Sequence, residues 1–260
     1  MVHPKIISIS NQKGGVGKTT TSINLGSSLS VLGKRTLLID LDPQANATTG
    51  LGLNPDALAS HVYHVLIGQK DADSVIQQTC LGDFFLMPSH PDLVGVEVEL
   101  MNEPLRERIL SRALSRLPRE FDFIVIDCPP SLGLLTLNAL TAAHSLLIPV
   151  QCEYYALEGL KSLLNTFRLV KKRLNPSLTI EGFLLTMYDS RTRLSHDIAE
   201  NVKDHFDSQV FRTIIPRNIR LCEAPSFGVP ICQYDVTSKG AQHYLMLAKE
   251  ILDMEVEHES

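Results

Sequence analysis

The run Lys13-Gly14-Gly15-Val16-Gly17-Lys18-Thr19 decides how this chain is read. It follows a short apolar segment, Ile6 to Ser10, with the character of a strand. It precedes Thr20 to Leu32, whose spacing predicts a helix closed by Gly33 and by the cationic Lys34 and Arg35. A strand that turns through glycines into a helix is the setting a phosphate group needs. Gly14, Gly15 and Gly17 let backbone N–H groups close around the anion, and the helix N-terminus adds a favourable potential. Lys18 supplies a charge for the β- and γ-phosphates of a nucleotide, and the Thr19 hydroxyl can ligate Mg²⁺. Lys13 through Thr19, with Val16 and Thr20, is therefore read as a nucleoside-triphosphate loop.

The loop departs from the common pattern G-x-x-x-x-G-K-[ST], because Gln12 holds the first glycine position and Lys13 follows it. Two lysines thus serve one loop. By spacing alone, Lys13 can reach its own ligand, point into solvent, or cross to the nucleotide of a neighbouring subunit.

Outward from the loop, short apolar runs alternate with longer segments of helical period, the pattern of a mostly parallel sheet wrapped by helices. Strands are expected at Thr36–Asp40, Phe84–Met87, Phe123–Asp127, Ser145–Val150, near Phe183–Met187 and near Val210–Ile214. Helices are expected at Glu158–Leu174, near Asp197–Phe206 and at Ala241–Leu252, with an acidic tail from Glu255 to Ser260 that frays. The fold class is α/β, a single-domain P-loop NTPase with a mostly parallel twisted sheet flanked by helices. One AAA-type domain over residues 1–260, with its core at about 5–252, accounts for the length.

Metal and water chemistry needs carboxylates at strand ends facing the loop. The second strand ends in Asp40-Leu41-Asp42-Pro43-Gln44, which places Asp40 and Asp42 on one side if the strand continues. Phe123–Asp127 is an apolar strand closing on one carboxylate, as a Walker B segment does. Thr19, Asp127 and Asp40 are the candidate metal residues, although Asp40 can equally cap the loop that follows it.

The composition, 44% hydrophobic and 20% charged, is that of a folded chain with ample apolar surface to bury. Its longest apolar stretches fall far short of the ~20 residues that span a bilayer, and the N-terminus lacks the apolar core of a secretory signal. A cytoplasmic protein without membrane attachment is expected. Cys80, Cys128, Cys152, Cys222 and Cys232 form an odd set with no C-x-x-C pair, so reduced core thiols are expected. The nine histidines are scattered without ligand spacing and receive no role. The formal net charge is -5, yet residues 161–239 hold 12 Lys and Arg against 8 Asp and Glu. Such asymmetry can place a basic face on an acidic protein.

Taken together, Lys13–Thr19, the Asp40–Thr49 segment, Asp127–Pro130, Gln151-Cys152-Glu153-Tyr154-Tyr155-Ala156-Leu157-Glu158-Gly159, and Pro216-Arg217-Asn218 followed by Glu223-Ala224-Pro225-Ser226 closely resemble the ParA/Soj partition ATPases. The resemblance runs from about Lys5 to Leu252. It implies an ATP- and Mg²⁺-dependent switch that forms a homodimer around two nucleotides, with Lys13 and Lys18 both acting on phosphate. By the same resemblance, Asp42 positions the attacking water, Asp127 supports magnesium through water, and the loop of Pro216 and Asn218 holds the adenine. The ATP dimer would coat duplex DNA non-specifically, and a ParB/Spo0J-type centromere-binding partner would trigger hydrolysis and release. The protein would then be nucleoid-associated when ATP-bound.

Met187–Thr192 and Arg217–Arg220 are similar to the DNA-contacting loops of that family, which assigns the contact to Arg191 and Arg220, with Arg193, Lys203 or Arg217 in support. Contacts of this kind fall on phosphates and carry little base information. A same-fold positioning ATPase acting on a protein cargo, or on a membrane in the manner of MinD, is the alternative. The membrane version needs a basic amphipathic C-terminal helix, whereas this chain ends Asp253-Met254-Glu255-Val256-Glu257-His258-Glu259.

Overall fold

The computed structural model describes residues 4–118, 120–153 and 158–259. Tyr154 to Leu157, part of one segment that carries the resemblance, lie outside the described residues.

Strand β1 (Lys5–Ile9) leads through the glycine turn into helix α1 (Lys18–Val31) and on to β2 (Thr36–Asp40). Helices α2 (Asn46–Gly50) and α3 (Val62–Leu66) precede the short β3 (Gln77–Gln78) and β4 (Phe84–Met87). Then α4 (Val96–Glu99) and α5 (Ile109–Leu114) lead to β5 (Phe123–Asp127), α6 (Leu134–Ala142) to β6 (Ser145–Gln151), and α7 (Glu158–Arg173) to β7 (Thr179–Thr186). The chain closes through α8 (Arg193–Phe206), α9 (Ile219–Glu223), α10 (Ile231–Tyr234) and α11 (Lys239–Glu259).

The sheet order is β3-β4-β2-β5-β1-β6-β7, and every described pairing except β3 with β4 is parallel. Because helices cover both faces, these strands bury residues of either parity and read as continuous apolar runs. Ile6, Leu37 and Ile39 face a core filled by α3, α5, α6, α7 and α8. Ile7, Ile9 and Leu38 face the opposite core, filled by α1 and by Tyr244, Leu247, Ala248 and Ile251 of α11. On that side α1 lies so close to the sheet that a Cβ at Gly26 would sit 2.7 Å from the Phe84 ring.

Two expectations need correction, and one helix had no counterpart in the sequence reading. Val210–Ile214 forms no regular strand; it touches β7 through an isolated bridge, Phe183 with Val210, and through the Phe211 and Ile215 amides. The ladder is interrupted because the next two N–H groups, of Arg212 and Thr213, donate to the Glu250 carboxylate of α11 at 2.7 and 3.0 Å. The acidic tail does not fray at Glu255, since α11 continues to Glu259 and the Glu255 carboxylate pairs with Lys5, which also holds Glu181 at 2.7 Å. Helix α6 was not anticipated at all. Eight of its nine residues are buried, so it has no polar face to give a period, and its N-terminus is capped from a distance by Glu97, which accepts from Leu134 N at 2.8 Å.

Candidate nucleotide-binding site

The chain leaves β1 toward β2 on one side and leaves β6 toward β7 on the other, which opens a crevice at the carboxyl end of the parallel strands. The glycine turn stands in that crevice. Buried Asn11 aims it by accepting from Lys13 N at 3.0 Å and donating to the Pro149 carbonyl at 2.7 Å. Gly15 and Gly17 sit at φ 75° and 88°, where side chains with a Cβ are strained. Across the turn, the Thr186 hydroxyl at the end of β7 donates to the Val16 carbonyl at 2.8 Å. Neither Asn11 nor Thr186 was singled out from sequence, because a lone Asn or Thr at a strand end carries no pattern.

Lys18 opens α1 with only 7% of its surface exposed, and its Nζ donates to the Lys13 carbonyl at 3.2 Å. Burial lowers its pKa, and the charges of Asp127 and Asp42 oppose that shift. Asp127 is fully buried; its Oδ1 accepts from the Ser22 hydroxyl at 2.9 Å, and its Oδ2 has no hydrogen-bond partner among the described residues. Burial and the adjacent Asp40 push the Asp127 carboxyl well above the ordinary range, while the hydroxyls of Thr19 and Ser22 work the other way.

Asp40 is turned away from the metal role. Its Oδ2 accepts from the Thr48 amide at 2.9 Å and the Thr48 hydroxyl at 2.7 Å, and its Oδ1 accepts from the Asp42 amide at 3.1 Å. With both oxygens committed to its own loop, it has the geometry of the cap that sequence left open. The Thr48 hydroxyl also accepts from Ser89 N at 2.8 Å, and the Ser89 hydroxyl donates to the Asp42 carbonyl at 2.6 Å. Asp42 is therefore presented by a loop fixed at both ends. Its Oδ1 accepts from Gln44 N at 3.0 Å, and the side chain lines the same cleft as Lys18.

That cleft, of about 570 Å³, is lined by Gly14, Gly15, Gly17, Lys18, Thr19 and Thr20 on one wall and by Asp42 and Gln44 on another. It runs into a mainly apolar cavity of about 480 Å³ that contains Pro216, Asn218, Ile219, Leu221 and Tyr244 and shares Gly17, Thr20, Met187 and Pro225 with the cleft. The cleft and the apolar chamber thus bring together Lys18, Thr19, Asp42, Pro216 and Asn218, the residues expected to face phosphate, water and base. Lys13 is set apart from them, its Nζ lying 3.7 Å from Glu153 Oε2.

Arg191 and Arg220 are exposed and paired. Arg191 holds Asp189 through Nε at 2.9 Å and Nη2 at 2.7 Å, which keeps the Asp189 carboxyl far below its ordinary range. Arg220 holds Glu223 at 2.8 Å and approaches Asp235 at 3.5 Å. Their two loops are neighbours, joined by a bridge between Tyr188 and Pro216 and by Arg217 N donating to the Tyr188 carbonyl at 3.0 Å. Arg193 pairs with Asp197 at 3.8 Å, and Lys203 and Arg217 are exposed.

The cysteines divide. Cys128 and Cys152 are buried and their thiols are pushed up to about 12, as core thiols are, whereas Cys80 and Cys222 are exposed. The histidines also depart from expectation, since His61, His64 and His90 meet in space. His61 and His64 lie three residues apart on one turn, but His90 comes from a separate segment that local spacing cannot connect to them.

No helix among the described residues is long and apolar enough to cross a membrane. The AAA domain family model matches residues 4–180. The sporulation initiation inhibitor protein Soj of Bacillus subtilis is 56% identical over 247 residues, 95% of this chain and 98% of that protein. The chromosome partitioning protein ParA of Myxococcus xanthus is 54% identical over 248 residues, 95% of this chain and 88% of that protein. Among solved structures, cobyrinic acid a,c-diamide synthase from Mycobacterium smegmatis with bound ADP and magnesium superposes with a TM-score of 0.85 at 40% identity, covering 96% of this chain and 94% of that one. Identity of this order across nearly the whole length, together with a nucleotide-shaped crevice built on the deviant glycine loop, makes the chain a member of the ParA/Soj family of chromosome-partitioning ATPases.

Proposed function

We propose that this chain is an ATP-driven switch for partitioning replicated DNA, whose ATP-bound homodimer binds duplex DNA and whose hydrolysis is triggered by a ParB/Spo0J-type partner. The observation that carries the reading is that Lys18, Thr19 and Asp42 line one cleft that opens into a mainly apolar chamber, with the buried Asp127 carboxylate acting electrostatically on Lys18. A triphosphate fits the first and a purine the second.

The residues present fit Mg²⁺. Asp127 offers a buried oxygen without a partner, and the Thr19 hydroxyl, close enough to oppose the rise in its pKa, completes an oxygen set suited to a hard cation. When bound, the ion neutralises charge on the β- and γ-oxygens. Lys18 contributes a buried positive charge to the same oxygens, and the amides of the glycine turn close around them. Asp42, held by its two anchored ends, orients water toward the γ-phosphorus. Asp40 positions that loop. Lys13, which does not line its own cleft and lies 3.7 Å from Glu153, would serve a partner's phosphates.

The adenine-chamber loop carrying Pro216 and Asn218 is hydrogen-bonded to the loop carrying Arg191. Nucleotide contact and DNA contact therefore involve one connected edge, and a dimer doubles the number of phosphates it can reach. The test is ATP turnover measured with duplex DNA, with the candidate centromere-binding partner, and with both. The reading expects the largest stimulation with both present; turnover indifferent to either would end it.

A further inference from the structure

We propose that His61, His90 and Asp92 form a binding site for a divalent transition-metal ion such as Zn²⁺, separate from the nucleotide cleft. One nitrogen of each of His61 and His90 and one oxygen of Asp92 lie within 4.8 Å of one another. The rings of His61 and His90 stack at 4.3 Å with a 16° tilt, and His64 meets His61 edge-on at 4.3 Å.

Two observations separate this cluster from an ordinary group of surface histidines. First, His61 is 3% exposed and its Nδ1 has no hydrogen-bond partner among the described residues. The His64 amide donates to the His61 carbonyl at 3.0 Å, and His64 Nδ1 accepts from the His61 amide at 3.3 Å. A buried polar atom in that position costs stability unless something satisfies it. Second, His90 Nδ1 and Asp92 Oδ2 approach to 3.1 Å, although the same nitrogen already accepts from the Asp92 amide at 3.2 Å. Two acceptors facing each other require a proton or a cation between them.

Tetrahedral zinc with bonds of about 2.0–2.1 Å sets its ligand atoms roughly 3.3 Å apart. Closing the present spread takes a movement of about 1.5 Å. The Asp92 side chain, 57% exposed, is free to make it. Imidazole nitrogens favour Zn²⁺, Co²⁺ or Ni²⁺ over Mg²⁺, which distinguishes this site from the oxygen-lined cleft. The ligands come from two segments, His61 before α3 and His90 after β4, so an ion here would staple them together. His90 directly follows Ser89, whose hydroxyl holds the Asp42 carbonyl.

The experiment titrates untagged, nucleotide-free protein with Co²⁺ in excess Mg²⁺, in a Cys80→Ser/Cys222→Ser background that removes the exposed thiols. One equivalent should give the visible d–d bands of four-coordinate cobalt, without the thiolate charge-transfer band, and Zn²⁺ should displace it. His90→Gln and Asp92→Asn, both at accessible positions, should each weaken Zn²⁺ binding at least about 10-fold, with circular dichroism showing the fold retained. Absence of four-coordinate bands in the parent protein, or equal Zn²⁺ affinity in a folded His90→Gln/Asp92→Asn double variant, overturns the assignment.

Discussion

Asp40 and Asp127 are register partners at the carboxyl ends of β2 and β5, and both carboxyls are completely buried. Burial raises both, the charge of Asp40 raises Asp127 further and that of Asp42 raises Asp40, so the pair retains a proton above the ordinary carboxylate range. Groups whose folded pKa exceeds the unfolded value bind more protons in the folded state. Their contribution to stability is full below about pH 4 and is lost as pH rises through the folded value. Nucleotide- and Mg²⁺-free protein should therefore lose about 1.4 kcal/mol per pH unit per shared proton across this window, roughly 3 °C in Tm. Thermal melts from pH 5 to 8 should slope downward in the wild type and less so in Asp127→Asn; parallel slopes would mean that the pair titrates normally.

Lys18→Ala removes the buried cation from the glycine turn. Hydrogen bonds to charged groups contribute about 1.5–3 kcal/mol, so ATP affinity should fall roughly 10- to 100-fold. Thr19→Ala and Asp127→Ala should spare binding of metal-free nucleotide and weaken the gain from Mg²⁺. Calorimetric titration with and without Mg²⁺ separates the two behaviours, and wild-type affinity in Lys18→Ala would remove the phosphate assignment.

Asp42→Ala should bind ATP and dimerise while turning over on the order of 100-fold more slowly, because orienting water matters in the transition state and little in the ground state. Single-turnover hydrolysis measures the step directly. A normal rate would shift the water-positioning role to another group.

Lys13→Ala should retain more nucleotide affinity than Lys18→Ala yet fail to dimerise with a non-hydrolysable ATP analogue, since Lys13 does not line its own cleft. Sedimentation velocity reads the outcome. A nucleotide-dependent dimer in the variant would confine Lys13 to its pairing with Glu153.

Arg191 and Arg220 are engaged with Asp189 and Glu223, but at solvent-exposed positions where ion pairs contribute little and phosphate can compete. Each phosphate contact adds about 0.9 to the slope of log affinity against log salt. Arg191→Glu/Arg220→Glu should flatten the slope of a dimer by roughly 3–4 and leave ATP-dependent dimerisation intact. An unchanged slope would mean that the two arginines stay with their carboxylates.

Much of this was legible in the amino-acid order. Thr36–Asp40, Phe84–Met87 and Phe123–Asp127 are found at their expected bounds, because a buried parallel strand is a short apolar run ended by a polar residue. The glycine turn was equally plain, as few other structures call for three glycines followed by Lys-Thr. What stayed hidden depended on distant partners. Asp40 was ambiguous between metal ligand and cap until Thr48 was seen to occupy it. Val210–Ile214 has the composition of a strand, but Glu250 takes the amides that a ladder would use. Helix α6 lacked a period because it is surrounded, and His90 joins the histidine cluster through tertiary structure alone.

The place of β1 in the sheet has a consequence for how the protein is made. Among the described residues its strand neighbours are β5 and β6, with Lys5 opposite Phe123 and Ile7 opposite Ser145. On a ribosome adding about 5–20 residues per second, the segment bearing the glycine turn is synthesised first and waits roughly 6–24 s before β5 exists to receive it. The adenine chamber waits longer still, for Pro216 to Pro225. A nascent or truncated chain that stops before Pro216 lacks most of that chamber's wall, so full grip on a nucleotide waits for the segment from Pro216 to Pro225.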